Sequence, residues 1–396
     1  MVVVGGGAIG VSAAYELARR GARVTLLERD GLGGACSSGN AGLLCPSHSA
    51  PLATPAALAE GIAGLRRRDA ALSLAPRPST VGWLARFARA CRNGSAERGA
   101  DVIRRLSSAS LELHAELAPL GTGFERRGIL SVYETEARLE HGRHEAARSG
   151  LDSRVLSEAE TRALEPALRG PVAGAIFTPA EAHVDPRRFV EALGTAAAAA
   201  GADVRTGVEV KQVREGAVVT SAGILRPRTV VLAAGAWSGR LARGLGLRLP
   251  LTGGKGYHVD YVAAEGDPCV PMLLQEARAA VTPLGDRLRI AGLLEVAGLD
   301  LRLDERRAAV LRRAAGRVLG VDGRTEVDVW CGLRPCTPDG LPVIGRPARL
   351  PGVVVATGHA MKGISLAPVT GRLVAEIVTG ESASHDLTPF GPDRFS

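Results

Sequence analysis

The opening stretch, through Glu28, constrains the fold more than any other part of the chain. It runs Val2-Val3-Val4, then Gly5-Gly6-Gly7-Ala8-Ile9-Gly10, then an apolar helical pattern through Ala18, then Gly21-Ala22-Arg23-Val24-Thr25-Leu26-Leu27-Glu28. This is a strand, a GxGxxG turn, a helix, a glycine stop, a second buried strand and a terminal carboxylate, the signature of a dinucleotide-binding unit. Gly5 permits the tight turn, Gly7 lets backbone approach a pyrophosphate, and Gly10 lets helix and strand pack closely. The helix N-terminus at Ala8 and Ile9 offers unpaired N–H groups and a positive dipole end to the phosphates. Glu28 stands where a carboxylate can accept both hydroxyls of an adenosine ribose, so FAD or NAD fits better than NADP.

The remaining composition bounds the function class. The 396 residues, 46% of them hydrophobic, suffice for two domains. The net charge of +8 is scattered, and the densest basic run, Arg66-Arg67-Arg68, has no aromatic neighbours in a chain with only 3% aromatics. Nucleic-acid binding is therefore not expected, whereas weak attraction to anionic substrates or an acidic membrane surface is compatible with the charge. Six cysteines without a CxxC pair or metal-ligand spacing imply no metal site. With no signal peptide ahead of them, reduced thiols in a cytoplasmic protein are expected. No stretch reaches the roughly 18 apolar residues of a membrane helix, so any membrane contact is expected to be peripheral, at the inner face of the cell membrane.

The turn alone does not decide between FAD and NAD. The next segment, Gly33-Gly34-Ala35-Cys36-Ser37-Ser38-Gly39-Asn40-Ala41-Gly42, is too small-residue-rich to build a core. It can instead lie against a flat ring system and donate backbone N–H groups, where an NAD dehydrogenase would continue with regular βα units. Later come Ala182-His183-Val184-Asp185-Pro186 with a helix from about Arg187 to Ala200, and a strand at Thr229-Val230-Val231-Leu232 that leads into Ala233-Ala234-Gly235-Ala236-Trp237. Near the end stand Gly332-Leu333-Arg334-Pro335-Cys336-Thr337-Pro338-Asp339-Gly340, a strand Val353-Val354-Val355-Ala356, and Gly358-His359-Ala360-Met361-Lys362-Gly363-Ile364 before a closing helix.

On these motifs the chain resembles the D-amino-acid oxidase-like family of FAD enzymes, from Val2 to about Gly380. Ser38-Gly39-Asn40-Ala41-Gly42 with Pro46-Ser47-His48, and the stretch from His359 to Gly371, are most similar to bacterial D-amino acid dehydrogenases and, within them, to the D-hydroxyproline dehydrogenase branch. The resemblance implies an α/β, Rossmann-type FAD-binding domain in discontinuous segments (1–85, 152–240 and 330–396). A substrate domain of α+β type with a mostly antiparallel sheet would occupy 86–151 and 241–329.

It also implies residue roles. Beyond the turn, cofactor contacts fall on Glu28 and Arg29, on Ser37, Ser38, Asn40, Ala41, Gly42 and Leu43, and on Val210, Ala234, Gly235 and Trp237. Further contacts fall on Gly332, His359, Met361, Lys362, Gly363 and Ile364. Arg334 looks like the arginine that clamps the substrate carboxylate, a task suited to a planar guanidinium. Tyr257 is similar to an active-site tyrosine that helps hold that carboxylate, and His48 lies in a loop that reaches the substrate. Lys362 matches a lysine whose charge would favour negative charge on the reduced ring system. Sarcosine oxidase-like members carry a flavin-linking cysteine where this chain has Gly332, so FAD is expected to be non-covalent.

The expected reaction moves the α-hydrogen of a D-amino acid, such as D-proline or cis-4-hydroxy-D-proline, to the flavin as hydride. The electrons then pass to a quinone or to O₂. A glycine or sarcosine oxidase, or the flavoprotein subunit of a larger dehydrogenase, would carry nearly the same motifs.

Overall fold

The computed structural model describes residues 1–64, 70–74, 77–92 and 95–395. The run Arg66-Arg67-Arg68 lies outside the described residues.

Short runs of three to five residues, most of them rich in valine, build a six-stranded sheet. Its order is Val343–Gly345, Val353–Thr357, Val230–Leu232, Val2–Val4, Thr25–Leu27 and Asp203–Arg205. All neighbours pair in parallel except the first two strands, which are antiparallel. Continuous apolar runs suit strands buried on both faces. Val3, Leu26, Val231 and Val354 meet the helices Ala8–Arg19, Pro186–Ala199 and Ala367–Thr379. Their neighbours Val4, Leu27, Leu232 and Val355 meet Val213 and Val218 of a three-stranded sheet and Leu241 of the helix Ser238–Ala242.

Local signals end the elements where expected. Asp185 Oδ1 accepts from the N–H groups of Arg187 and Arg188 and caps the helix, with Pro186 in its first turn. Gly371 lets the closing helix approach the first one, since a Cβ there would stand 2.6 Å from the Ser12 carbonyl carbon.

The second sheet is nine-stranded and mostly antiparallel. Its main path runs Glu326–Cys336, Thr252–Val262, Arg287–Val296, Ala279–Pro283, Met272–Leu274, Ile129–Tyr133, Gly174–Thr178 and Arg154–Ser157. Leu72–Ser73 pairs with Arg287–Val296 off this path. The helix Glu305–Leu319 packs Leu311, Ala315 and Val318 against one face. The strands Arg154–Ser157, Gly174–Thr178 and Glu326–Cys336 join this sheet, although most of their residues fall within segments expected around the cofactor.

Candidate active site

The parallel strands end at an open cleft. Gly5, Gly7, Ala8 and Ile9 form its floor, at the N-terminus of the helix Ala8–Arg19. Gly5 adopts φ +106°, and a Cβ there would stand 2.6 Å from the Ala233 carbonyl oxygen. A Cβ on Gly10 would come within 1.8 Å of the Gly5 carbonyl oxygen, so the turn and helix touch backbone to backbone. A Cβ on Gly7 would meet only Ser37 Oγ, at 3.2 Å, and otherwise project into free space. Ser37 Oγ accepts from the Ala8 N–H at 3.0 Å and so takes one of the free helix donors.

Glu28, Arg29, Val210, Ala234, Gly235 and Trp237 line the cleft. Glu28 Oε2 accepts from the Gly6 N–H at 2.7 Å and Oε1 from the Asp30 N–H at 3.0 Å. Each oxygen keeps a further lone pair for a hydroxyl. The Arg29 guanidinium lies 5.1 Å from the centre of the Trp237 ring. Cys36, Asn40, Pro335, His359, Gly363 and Ile364 line the cleft as well. The backbone geometry fits a dinucleotide: close approach at Gly7, a phosphate-facing helix start and a carboxylate at the second strand's end.

Other residues expected at the cofactor stand around the cleft without lining it. Ser38, Ala41, Gly42 and Leu43 continue the Cys36–Asn40 loop, with Leu43 paired to His183. Gly332 makes room for Trp330, whose ring would be 2.1 Å from a Cβ there. Met361 is largely exposed. The His359 ring turns away to bond Thr370 Oγ1 at 3.0 Å, and burial pulls its imidazole down to about 3, so it is neutral. The closing helix starts only at Ala367, because a 3₁₀ turn over Ala360–Lys362 intervenes.

Arg334 and Tyr257 are not brought together. Along Thr252–Val262 and Glu326–Cys336 the register pairs Gly254 with Arg334, Gly256 with Gly332, and Tyr257 with Cys331. Side chains alternate, so Arg334 shares a face with Gly254 and Gly256, while Tyr257 points to the other. Tyr257 sits in the core beneath the helix Glu305–Leu319 and donates its hydroxyl to Glu295 Oε2 at 3.2 Å. It is therefore not a partner of Arg334 in holding a carboxylate. The Arg334 guanidinium lies over Gly256, where a Cβ would stand 2.3 Å from its central carbon, and donates to the Leu293 carbonyl. Leu293 adopts φ +61° at a bulge in its strand, which turns that carbonyl toward the arginine. Burial pulls the guanidinium below its ordinary pKa, opposed by the nearby Cys36 and Cys336 thiols.

His48 and Lys362 belong to a polar cluster that the sequence reading did not assemble. The Lys362 ammonium donates to the His48 carbonyl rather than entering the cleft. The His48 ring contacts Ser47 Oγ at 2.9 Å, Ser131 Oγ at 3.4 Å and the Gln275 amide at 3.3 Å. One edge is open, yet the enclosing protein and then the Lys362 charge pull its imidazole down to about 4. Beneath it, buried Glu181 accepts from the Ser47 N–H at 2.7 Å through Oε1, while Oε2 has no hydrogen-bond partner among the described residues. Burial pushes the Glu181 carboxyl up to about 7, against the pull of Ser47 and Lys362.

A carboxyl whose folded pKa exceeds its unfolded value stabilises the protein below the unfolded pKa, and this contribution is lost as pH rises toward the folded one. Wild-type stability should thus fall between pH 4.5 and about 7 by up to about 3 kcal/mol through this group. In Glu181→Gln that slope should be missing, as denaturant melts across this pH window would reveal. Equal slopes in the two proteins would contradict it.

The sequence model of the family described as "FAD dependent oxidoreductase" matches residues 1–377. The D-amino acid dehydrogenase of Paramagnetospirillum magneticum is 35% identical, over 100% of this chain and 99% of its own. That of Methylobacterium nodulans is 35% identical over 98% of each chain. Among solved structures, glycine oxidase from Geobacillus kaustophilus superposes with a TM-score of 0.78 at 27% identity, over 98% of this chain and 97% of its own. L-proline dehydrogenase from P. horikoshii shares the fold, with a TM-score of 0.76 at 21% identity, over 100% and 96% of the respective chains.

Proposed function

Because the chain belongs to the FAD dependent oxidoreductase family, we propose that it is a D-amino acid dehydrogenase whose substrate is D-proline or cis-4-hydroxy-D-proline. The supporting observation is a half-buried Arg334 close to Cys36, itself a residue of the cleft lining, in a chain similar along its whole length to enzymes named D-amino acid dehydrogenases. Bound FAD supplies the hydride acceptor.

The turn from Gly5 to Gly10 would hold its pyrophosphate and Glu28 its ribose. The face bearing Cys36, Asn40 and Gly363 would hold the ring system. Binding is non-covalent in this reading, since Gly332 occupies the linking position and Cys331 points to the Tyr257 face.

The protein's part in the reaction is orientation. Arg334 would take the substrate carboxylate through two parallel hydrogen bonds and so fix the α-carbon. The amine must be neutral to release hydride from its carbon, and a poorly hydrated pocket lowers its pKa. The product is an imino acid that water hydrolyses, or a cyclic imine from a cyclic substrate. The electrons pass to a quinone or to O₂, reached at a peripheral site on the membrane in the first case. Among the described residues no helix is long and apolar enough to cross a membrane.

The test is an anaerobic spectrum of the purified yellow protein with D-proline, cis-4-hydroxy-D-proline and D-alanine added in turn. Bleaching by a D-substrate and not by its L-form or sarcosine is expected. A yellow protein bleached by none of the three would overturn the substrate assignment. The similarity to glycine oxidase favours a second reading, an amine oxidase, which hydrogen peroxide release with glycine or sarcosine would identify.

A further inference from the structure

The loop that follows the second strand of the parallel sheet is held from behind by the other sheet. Four successive carbonyls, from Ser38 to Ala41, accept hydrogen bonds from side chains of the nine-stranded sheet. Arg289 Nη1 donates to Ser38 at 2.7 Å and to Asn40 at 2.8 Å. His258 Nδ1 faces the Gly39 carbonyl at 3.1 Å and therefore carries a hydrogen, and Thr282 Oγ1 donates to Ala41 at 2.8 Å. Arg289 is 1% exposed and is itself fixed, because its Nε and Nη2 each donate to an oxygen of equally buried Asp260 at 2.8 Å. Trp330 closes the contact, stacked on His258 at 5.1 Å and packed so tightly on Gly39 that a Cβ there would be 2.4 Å from its ring.

These holding groups share a strand face with Arg334. His258 and Asp260 follow Gly256 at alternate positions on one strand, and Asp328 and Trp330 precede Arg334 at alternate positions on the next. His258, Asp260 and Asp328 lie close enough to suggest a metal cluster, but both Asp260 oxygens are taken by the Arg289 guanidinium. The arrangement instead resembles a ruler. One end seats the backbone whose other side, at Ser37 and Asn40, lines the cleft, and the other end carries Arg334.

We propose that Arg289, seated on Asp260, is a positioning residue that fixes the Ser38–Ala41 loop against the strand face bearing Arg334, so that cofactor seat and carboxylate clamp are set relative to each other. An arginine suits the task because its planar fork serves a carboxylate with one edge and two carbonyls with the other, which an ammonium cannot do. The half concerning Arg334 rests on the function proposed above; the half concerning the cofactor does not.

Three variants test it, Arg289→Gln, Arg289→Lys and Thr282→Val, with FAD affinity of the apoprotein measured by flavin fluorescence and apoprotein Tm measured alongside. Thr282→Val removes one neutral hydrogen bond at nearly constant shape and should weaken FAD about fivefold with little change in apoprotein Tm. Arg289→Gln should weaken FAD by about a hundredfold or more, and Arg289→Lys should not restore it. In FAD-loaded Thr282→Val, benzoate, a carboxylate without an amine, should bind more weakly and perturb the flavin spectrum less than in wild type. FAD affinity within about twofold of wild type in Thr282→Val would overturn the proposal even if Arg289→Gln fails to fold. If FAD weakens while benzoate binding is unchanged, the coupling to Arg334 is refuted and the cofactor half stands. That outcome is distinct from failure of D-proline to bleach the flavin.

Discussion

Arg334→Lys is expected to lower kcat/KM for the amino acid substrate by about a hundredfold or more, mostly through KM, with FAD content unchanged. The guanidinium lies flat over Gly256 and donates one N–H to the Leu293 carbonyl, which leaves its other edge for a planar carboxylate. A lysine presents a single ammonium that can satisfy the Leu293 carbonyl or the substrate but cannot grip both carboxylate oxygens in parallel. The α-carbon would then wander relative to the hydride acceptor. Arg334 is absent from the cleft lining, so flavin absorbance per protein should remain that of wild type. Steady-state kinetics with an absorbance ratio checks both halves; a variant with normal KM removes Arg334 from the site.

The second large effect separates two glycines of one turn. Gly10→Ala places a methyl 1.8 Å from the Gly5 carbonyl oxygen, and no flexible side chain is there to yield. The helix would have to leave the sheet, at a cost of about 3 kcal/mol or more. Gly7 has φ −75° and ψ 178°, open to any residue, and its added methyl would meet only Ser37 Oγ at 3.2 Å. Gly7→Ala should therefore fold with nearly the wild-type Tm yet bind FAD about tenfold or more weakly, because the methyl occupies the place of phosphate approach. Apoprotein melts combined with flavin titration separate the two. Equal Tm losses in both variants would mean that Gly7 serves the fold and not the ligand.

What could be seen in the sequence was local. The turn from Gly5 to Gly10, Glu28 at the second strand's end and Asp185 before its helix each depend on a few adjacent residues, and the structure has the strand, turn and helix there. Tyr257 depended on parity. Tyr257 and Gly256 are neighbours in sequence, and only the pairing of Gly254 with Arg334 decides which of them faces the arginine. Lys362 follows the cleft residue Ala360 closely, but a 3₁₀ turn directs its ammonium to His48. Arg289 and Glu181 carried no local signal, since a charged residue in an alternating strand, as Arg289 is, or beside a turn, as Glu181 is, reads as solvent-facing. Their partners, Ser38, Asn40 and Ser47, lie more than a hundred residues away.

The ordering of the parallel sheet has a consequence for biosynthesis. Val2–Val4 pairs with Val230–Leu232, and that strand's other edge pairs with Val353–Val355. The cleft wall from Ala356 to Ile364 follows directly. A chain emerging from the ribosome therefore carries an open, apolar strand edge at Val230–Leu232 until more than a hundred further residues have been translated. Parallel pairing over such a distance closes slowly, and an exposed edge of this kind is prone to association with other chains. The cleft is complete only once the residues through Ile364 have been made, so cofactor binding cannot help to close this edge before then.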